Sequence, residues 1–499
     1  MARKTKSNLK DCIPGIAVFV VLVGLMAWFV LHLFNTGLVP EKYLLILAGV
    51  LYILAMVVFF LMRNPQRRKL FIAGAVLSVV TVAGMIIANS YIRKGVETLE
   101  TITGDDVTVV DMAIYVRAED SAVDIMDTAD YTFGVLSELD RINTDTMLEK
   151  MEGILGKAPA TMDYEDIFDL VDALLTTQEV DAIVINSAFL GLCEEADGYE
   201  DIRQRIHPVF TENIEIPMDT AFGEGEFGED PEQILDTQKY DNVFTLYLSG
   251  IDTYGKLNKT SRSDVNIVAT VNTETRQILL VSIPRDAYVA TTVSNGVPDK
   301  LTNAGIYGVN CSKGTLERIY RTKIDYYFRV NFSGFEDIID ALGGITVESP
   351  AAFTSRVNGH YFKKGENTLN GENALAFVRE RKSFADGDHQ RGRNQMTMVK
   401  AVINKAMSPA LLTGYTDIMN SVADSFGTDM PYDVIADLVK MQLEEGGSWN
   451  IQTYSVDGTG ASKKPYSQKG NAYVMIVDQK TVETAIEKMN QVKNGEILK

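Results

Sequence analysis

Residues 242–287 read NVFTLYLSGIDTYGKLNKTSRSDVNIVATVNTETRQILLVSIPRDA. Three apolar runs rich in β-branched residues, Asn242–Ser249, Val265–Val271 and Ile278–Pro284, follow one another at strand length, the pattern of buried strands in one sheet. The charged residues of the stretch sit at the strand ends. Asp252 follows the first run, Arg262-Ser263-Asp264 precedes the second, and Pro284-Arg285-Asp286 closes the third. In α/β sheets ligands bind beyond strand termini, where loops converge without disturbing the packed sheet. Two carboxylates and two guanidiniums placed there suit a hard divalent cation beside a phosphorylated ligand.

Downstream, helical patterns at Gly314–Tyr320 and Phe335–Leu342, a strand at Tyr326–Val330 and the helix-ending pair Gly343-Gly344 extend the pattern to an α/β/α sandwich running to about Met407. A tail of helix (Tyr432–Glu445), strands (Ile451–Val456, Ala472–Val477) and helix (Thr481–Gln491) completes it. Two further basic clusters stand out. Arg379 and Arg381 are two apart, so an extended backbone there aims both at one side. A helix from about Arg391 puts Arg391 and Gln395 on one face. Arginine suits phosphate because its planar fork offers paired donors and keeps its charge.

Upstream, Val107–Val110, Ala113–Val116 and Asp181–Ile185 read as strands, with helices at Ala122–Leu139 and Asp145–Ile154. This is an α/β accessory domain without a phosphate loop. A Gly- and acid-rich linker, Asp219–Tyr240, separates it from the sandwich. The expected organisation is a membrane anchor (1–94), an accessory domain (95–218), the linker (219–240) and an α/β/α domain with its tail (241–499).

The anchor is read from three apolar runs, Ile13–Phe34, Tyr43–Met62 and Leu70–Ile92, each long enough to cross a hydrocarbon core of about 30 Å. Cations gather before the first run (Arg3, Lys4, Lys6, Lys10) and between the second and third (Arg63, Arg67, Arg68, Lys69), which predicts a cytoplasmic N-terminus and an extracellular body. The chain's net charge of −20 divides into +9 up to Lys94 and −29 beyond it. That balance argues against a nucleic-acid partner.

Each cluster alone has an ordinary reading. Arg-Ser-Asp and Pro-Arg-Asp tripeptides are commonly turns with surface ion pairs, and His360 and His389 fit no ligand spacing and read as surface residues. Cys12 lies at the membrane edge; Cys193 and Cys311 are either one bridge or, the blander account, two isolated buried thiols. With four His and no Cys or His cluster, a structural zinc site is not expected. What carries weight is the combination: arginines gathered beside carboxylates in an acidic body, with no Ser-His-Asp arrangement to account for them.

The order of these motifs, Asp252, Arg262-Ser263-Asp264, Ile283-Pro284-Arg285-Asp286, Asp340-Ala341-Leu342-Gly343-Gly344-Ile345, Ala374 to Arg381 and Arg391-Gly392-Arg393-Asn394-Gln395, resembles the LytR-CpsA-Psr (LCP) domain. The three-span head and accessory domain further resemble the streptococcal capsule-locus branch of that family. The resemblance implies a phosphotransferase on the outer face of a Gram-positive membrane, moving a capsular glycopolymer from a polyprenyl pyrophosphate carrier to peptidoglycan. It also implies roles for single residues. Asp252 and Asp264 would hold Mg²⁺, or Mn²⁺ of similar ligand preference. Arg262, Arg285, Arg379, Arg381 and Arg391 would clamp the pyrophosphate, with Gln395 as a neutral donor and Asp286 orienting an arginine. Arg262, Arg285 and Asp264 form the catalytic core of this set, and Asp264 or Asp252 would accept the proton of the attacking hydroxyl. Phe328, Phe332, Phe335, Ile338 and Ile339 either line a groove for the polyprenyl tail or belong to an ordinary core. Capsule assembly proteins are further possible partners. The alternatives are a non-catalytic regulator or scaffold of capsule biosynthesis and a lipid pyrophosphatase that uses water as acceptor.

Overall fold

The computed structural model describes residues 9–64, 66–102, 107–217, 242–253, 259–384, 387–408, 426–468 and 470–498. The acidic linker expected at 219–240 and the cations at Arg3, Lys4 and Lys6 lie outside them. The described residues fall into two compact units, the three N-terminal helices with segment 430–448, and the remainder of the body.

The first unit is built from α1 (Leu9–Asn35), α2 (Glu41–Met62) and α3 (Arg68–Ile102). Their apolar stretches, Gly15–Asn35, Glu41–Met62 and Arg68–Glu97, are each long enough to cross a membrane. The helix Tyr432–Glu445 is bound to the turn between α1 and α2. Tyr432 Oη donates to the Thr36 carbonyl at 2.8 Å, Tyr43 Oη to the Leu443 carbonyl at 3.1 Å, and Lys42 Nζ to the Glu444 carbonyl.

The second unit holds two sheets. The accessory sheet has the order β3-β2-β4-β1-β5, from β1 (Val107–Arg117), β2 (Thr132–Leu136), β3 (Ala160–Tyr164), β4 (Ala182–Asn186) and β5 (Ile206–Pro217). Its helices are α4 (Arg141–Leu155), α5 (Ile167–Leu175), α6 (Leu190–Glu194) and α7 (Ile202–Arg205). The two short strands expected between Val107 and Val116 are one strand, because β5 pairs along the whole of β1. The helix expected at Ala122–Leu139 is instead a 3-10 turn, Ile125–Thr128, followed by β2. There Asp124 caps the turn by accepting from Met126 N, and β2 pairs on both sides, so tertiary pairing overrides a helical pattern. The apolar face of the accessory sheet packs on α5 and α6, and Ile306 of the second domain is fully buried in that same cluster.

The central sheet is six-stranded, built from β6 (Val243–Ile251), β7 (Ser263–Asn272), β8 (Gln277–Ser282), β9 (Tyr326–Val330), β10 (Phe426–Thr428) and β11 (Asn450–Ser455). Its order is β10-β9-β6-β7-β8-β11. β6 and β8 run antiparallel to β7, while β9 and β11 run parallel to β6 and β8 respectively. The carboxyl ends of β6, β8 and β11 and the amino end of β7 therefore share one edge of the sheet. Helices α8 (Val309–Tyr320), α9 (Phe332–Ala341), α10 (Gly371–Arg379), α11 (Gly387–Ala406) and α12 (Gln479–Lys493) complete the mixed α/β body. Asn331 starts α9 by accepting from Gly334 N at 2.8 Å, and Gly343 and Gly344, both at positive φ, end it as the sequence leads one to expect. Ile339 is buried in the core with Phe335 packed on it, and Phe328 stacks on Phe426 at 4.3 Å.

One close approach fixes this edge of the sheet. A 3-10 helix, Leu301–Tyr307, lies against the strand start at 261–263; a Cβ on Gly305 would stand 2.4 Å from the Ser261 carbonyl oxygen and 2.7 Å from Ser263 N. Backbone cannot yield as a flexible side chain does. Gly305→Ala is expected to cost about 2 kcal/mol or more through overpacking, seen as a lower thermal unfolding midpoint of the detergent-solubilised chain; an unchanged midpoint would show that the strand start shifts freely.

Candidate active site

The sequence dictates which charges meet at this edge. Asp252 leaves β6 one residue past its end, Arg262 and Asp264 flank the first residue of β7, and Arg285 follows β8 by three residues. Beneath them lies a buried hydroxyl network: Tyr247 Oη is 2.9 Å from Ser263 Oγ and donates to Asn266 Oδ1 at 2.7 Å, and Ser249 Oγ is 2.9 Å from Ser263 Oγ. A satisfied polar layer of this kind fixes the start of β7 and the residues on either side of it.

The arginines are buried and ion-paired. Arg262 Nη2 donates to Asp252 Oδ2 at 2.6 Å, and Ser261 Oγ donates to the other oxygen of Asp252 at 2.9 Å. Arg285 Nη1 donates to Asp264 Oδ1 at 2.9 Å, which Thr302 Oγ1 approaches at 3.3 Å. A third carboxylate completes the set. Glu195, the residue after α6, places Oε1 2.8 Å from Arg262 Nη1 and 3.1 Å from Arg285 Nη2. Asp286 lies 3.2 Å from Lys300 Nζ and 3.8 Å from Arg285 Nε, so its nearer partner is the lysine.

Beside this network lies a cavity of about 380 Å³, counted with its open mouth, lined by Asp264, Arg285, Arg391, Arg393 and Gln395 together with Ser282, His389, Ser455 and neighbouring backbone. Arg391 and Gln395 are both buried, one turn apart on α11, and Gln395 Nε2 donates to the Val378 carbonyl at 3.4 Å.

The second basic cluster is built otherwise than expected. The backbone at Arg379 is not extended: Arg379 is the last residue of α10, exposed, with its guanidinium 4.3 Å from the centre of the Phe332 ring. Glu380 between the two arginines is buried, accepting from Arg356 N at 2.6 Å, Ser355 Oγ at 3.0 Å and Ser383 N at 3.1 Å. Helix termination with a buried carboxylate replaces the strand-like alternation, and neither Arg379 nor Arg381 lines the cavity. Likewise α11 begins at Gly387, before Arg391, so His389 is not a plain surface residue: it borders the cavity, 3.5 Å from Asp457. Cys193 and Cys311 are free and buried.

The electrostatics separate the two aspartates. Burial pushes the Asp264 carboxyl up, but Arg285, Arg391 and Arg262 outweigh it and hold the group below the usual carboxylate range. Asp252 moves the other way, because burial and the charge of Asp264 outweigh Arg262. Asp264 thus stays an anion facing the cavity, while Asp252 takes up a proton more readily.

Among the described residues no group of three or more His, Cys, Asp and Glu side chains is placed to hold a metal ion. Mg²⁺ commonly takes one or two protein carboxylates and fills its shell with phosphate oxygens and water; Asp252 and Asp264 would offer that number, each of them paired with an arginine.

The comparisons with known proteins match this part of the chain. Residues 220–491 fit the LytR_cpsA_psr family profile. The chain belongs to the LytR-CpsA-Psr family. A protein from Bacillus anthracis (strain CDC 684 / NRRL 3495) named polyisoprenyl-teichoic acid–peptidoglycan teichoic acid transferase TagU is 38% identical over 197 residues, 39% of this chain and 63% of that protein. TagU of Bacillus subtilis (strain 168) is 33% identical over 218 residues, 44% of this chain and 69% of that protein. The crystal structure of B. subtilis TagV overlaps 52% of this chain and all of that chain, at 29% identity and a TM-score of 0.44.

Glu195, Arg393 and His389 are the site residues that the sequence did not single out. Arg393 lies inside a motif already recognised. Glu195 carries no local signal, since it sits in another domain.

The depressed acidity of Asp264 has a sign. A carboxyl lowered in the folded state stabilises fully above its unfolded value of about 4 and loses that contribution as pH falls through the folded value. Asp264→Asn leaves Arg285 with one partner fewer, at an expected cost of about 3 kcal/mol at pH 7. Urea unfolding of both proteins should show that difference shrinking at pH 3; a constant difference would remove the charge of Asp264 from the account.

Proposed function

We propose that this chain transfers a glycopolymer from a polyprenyl pyrophosphate carrier to peptidoglycan, with a capsular polysaccharide as the polymer. The observation that carries the reading is the single cavity where Asp264, Arg285, Arg391, Arg393 and Gln395 meet at the strand ends of a chain whose net charge is −20. The names of the TagU relatives, polyisoprenyl-teichoic acid–peptidoglycan transferases, give the class of donor and acceptor. The choice of capsule rests on the three-span head and the accessory domain, both outside the family-matched residues 220–491.

In this reading a sugar hydroxyl of peptidoglycan attacks the phosphorus that carries the glycan, and its proton passes by way of Asp264 or Asp252 to the leaving phosphate. The bond to the bridging oxygen breaks, polyprenyl phosphate leaves, and the glycan stays attached through a phosphodiester. Such transfer depends on positioning and charge neutralisation more than on a covalent partner. Arg285 and Arg391 face the cavity to neutralise the diphosphate, Arg262 joins them from the adjoining ion pair, and Gln395 is a neutral donor. Arg379 and Arg381 stand outside the cavity and would meet the glycan or the carrier beyond it. Asp264 and Asp252 would hold Mg²⁺, which when bound offsets the phosphate charge. Peptidoglycan, the membrane and capsule assembly proteins are the partners this reading implies.

In this reading the body lies outside the cell, as the distribution of cations between the loops supports. The turn between α1 and α2, with one Lys and one Glu, is hydrogen-bonded to helix Tyr432–Glu445, inside the family-matched region, while the cationic loop around Arg67 lies at the opposite ends of α2 and α3. In a variant with Cys12→Ser, Leu38→Cys should react with a membrane-impermeant maleimide on intact cells and Gln66→Cys should not; the reverse labelling would invert the topology.

The test of the reaction is linkage itself. The full chain in detergent, with Mg²⁺ and a polyprenyl-pyrophosphate glycan, should join the glycan to peptidoglycan fragments, and Arg285→Ala or Arg391→Ala should lower the rate by about 10²-fold or more while the protein stays folded. Release of free glycan without linkage would favour a pyrophosphatase, and unaltered rates in both variants would place the chemistry elsewhere.

A further inference from the structure

The structure assigns to Glu195, from the accessory domain, a place in the diphosphate site: its carboxylate holds the arginines Arg262 and Arg285 in the resting site and is displaced by the diphosphate of the substrate. The inference rests on the diphosphate reading above and adds a residue to it from outside the family-matched region 220–491.

Four observations carry it. First, one oxygen, Glu195 Oε1, lies 2.8 Å from Arg262 Nη1 and 3.1 Å from Arg285 Nη2, so a single anionic atom bridges two guanidiniums as a phosphate oxygen would. Second, the two arginines keep unused donors. Arg262 Nη1, although close to the carboxylate, is poorly aligned with it, and among the described residues neither it nor Arg285 Nε makes a hydrogen bond despite being buried. A buried donor left unsatisfied favours a ligand that satisfies it. Third, Glu195 is the group best able to leave. Its side chain is 37% exposed, against 8% for Arg262 and 7% for Arg285, and it follows the last residue of the five-residue helix α6. Fourth, the accessory helix is fitted to the arginine. A Cβ on Gly191 would stand 3.3 Å from Arg262 Nε, so α6 lies directly on the guanidinium.

Asp252 and Asp264 do not share this role. Each pairs with one of the two arginines, and each is more deeply buried than Glu195. A diphosphate brings several oxygens, each able to accept from a fork, and so can replace one bridging carboxylate oxygen and also satisfy donors that Glu195 leaves open. Return of Glu195 after transfer would then compete with the departing polyprenyl phosphate. No bond is made or broken at Glu195 in either step.

The test uses the full chain in detergent, inorganic pyrophosphate as probe, and calorimetric titration together with thermal unfolding. Glu195→Gln keeps the shape and removes the charge, and Glu195→Asp withdraws the carboxylate by one methylene. Both should bind pyrophosphate about ten-fold more tightly than the wild type, and pyrophosphate should raise their unfolding midpoints more than it raises the wild type's. Glu194→Gln, which alters a neighbour paired with Arg203 at 2.8 Å, should leave the affinity unchanged. A merely structural brace predicts the opposite sign, since its loss would loosen the arginines and weaken binding. Arg285-dependent binding by the wild type that Glu195→Gln and Glu195→Asp leave equal or weaker would overturn this role and keep the diphosphate reading. Binding indifferent to Arg285→Ala in every variant would remove the diphosphate reading, and this role with it.

Discussion

Arg262 and Arg285 are buried cations, and the rest of the site is arranged to make that tolerable. A guanidinium taken out of water loses several kcal/mol of hydration unless carboxylates and hydrogen bonds replace it. Here Asp252, Asp264 and Glu195 supply the charge, drawn from three separate parts of the chain. The hydroxyl layer of Tyr247, Ser249, Ser263 and Asn266 fixes the strand start that carries Arg262 and Asp264. Gly305 lets a 3-10 helix close over that strand start. The polar network therefore dictates small residues and fixed backbone around it, in place of the adaptable packing of an apolar core.

Half of the central sheet, three of its six strands, and much of the candidate site could be read from residues 242–287. Strand runs with charged ends translate directly into a charged edge because β6, β7 and β8 are neighbours in both sequence and sheet. Reading failed where a local pattern was overruled at a distance. The Arg379-Glu380-Arg381 triplet alternates like a strand, but Glu380 turns inward to bind the backbone of Arg356 and Ser383, and the helix ends one residue earlier. Residues 122–139 carry a helical pattern, yet β2 is claimed by pairing with β3 and β4. Glu195 was illegible for a different reason. Nothing near it in sequence differs from an acidic surface helix, and its significance arises only from the burial of Ile306 in the accessory core, which ties the two domains together.

The accessory sheet is thus more than an appendage to the family domain. Its core takes in a residue of the 3-10 helix that Gly305 seats against the charged edge, and its short helix α6 lies on Arg262. Changes in that domain reach the arginines through direct contact, with no relay through intervening elements.

The charge count of the site has a kinetic meaning. Asp252, Asp264, Asp286, Asp457 and Glu195 stand against Arg262, Arg285, Arg391, Arg393 and Lys300, five of each sign, in a chain that is acidic as a whole. Long-range attraction follows net charge, so a level site casts little field beyond a Debye length of about 8–10 Å. Its grip on an anion is short-ranged, beginning only when phosphate oxygens come within reach of the guanidinium forks. Free phosphates in solution are therefore not drawn toward it from afar, and an anion engages these arginines only on direct contact.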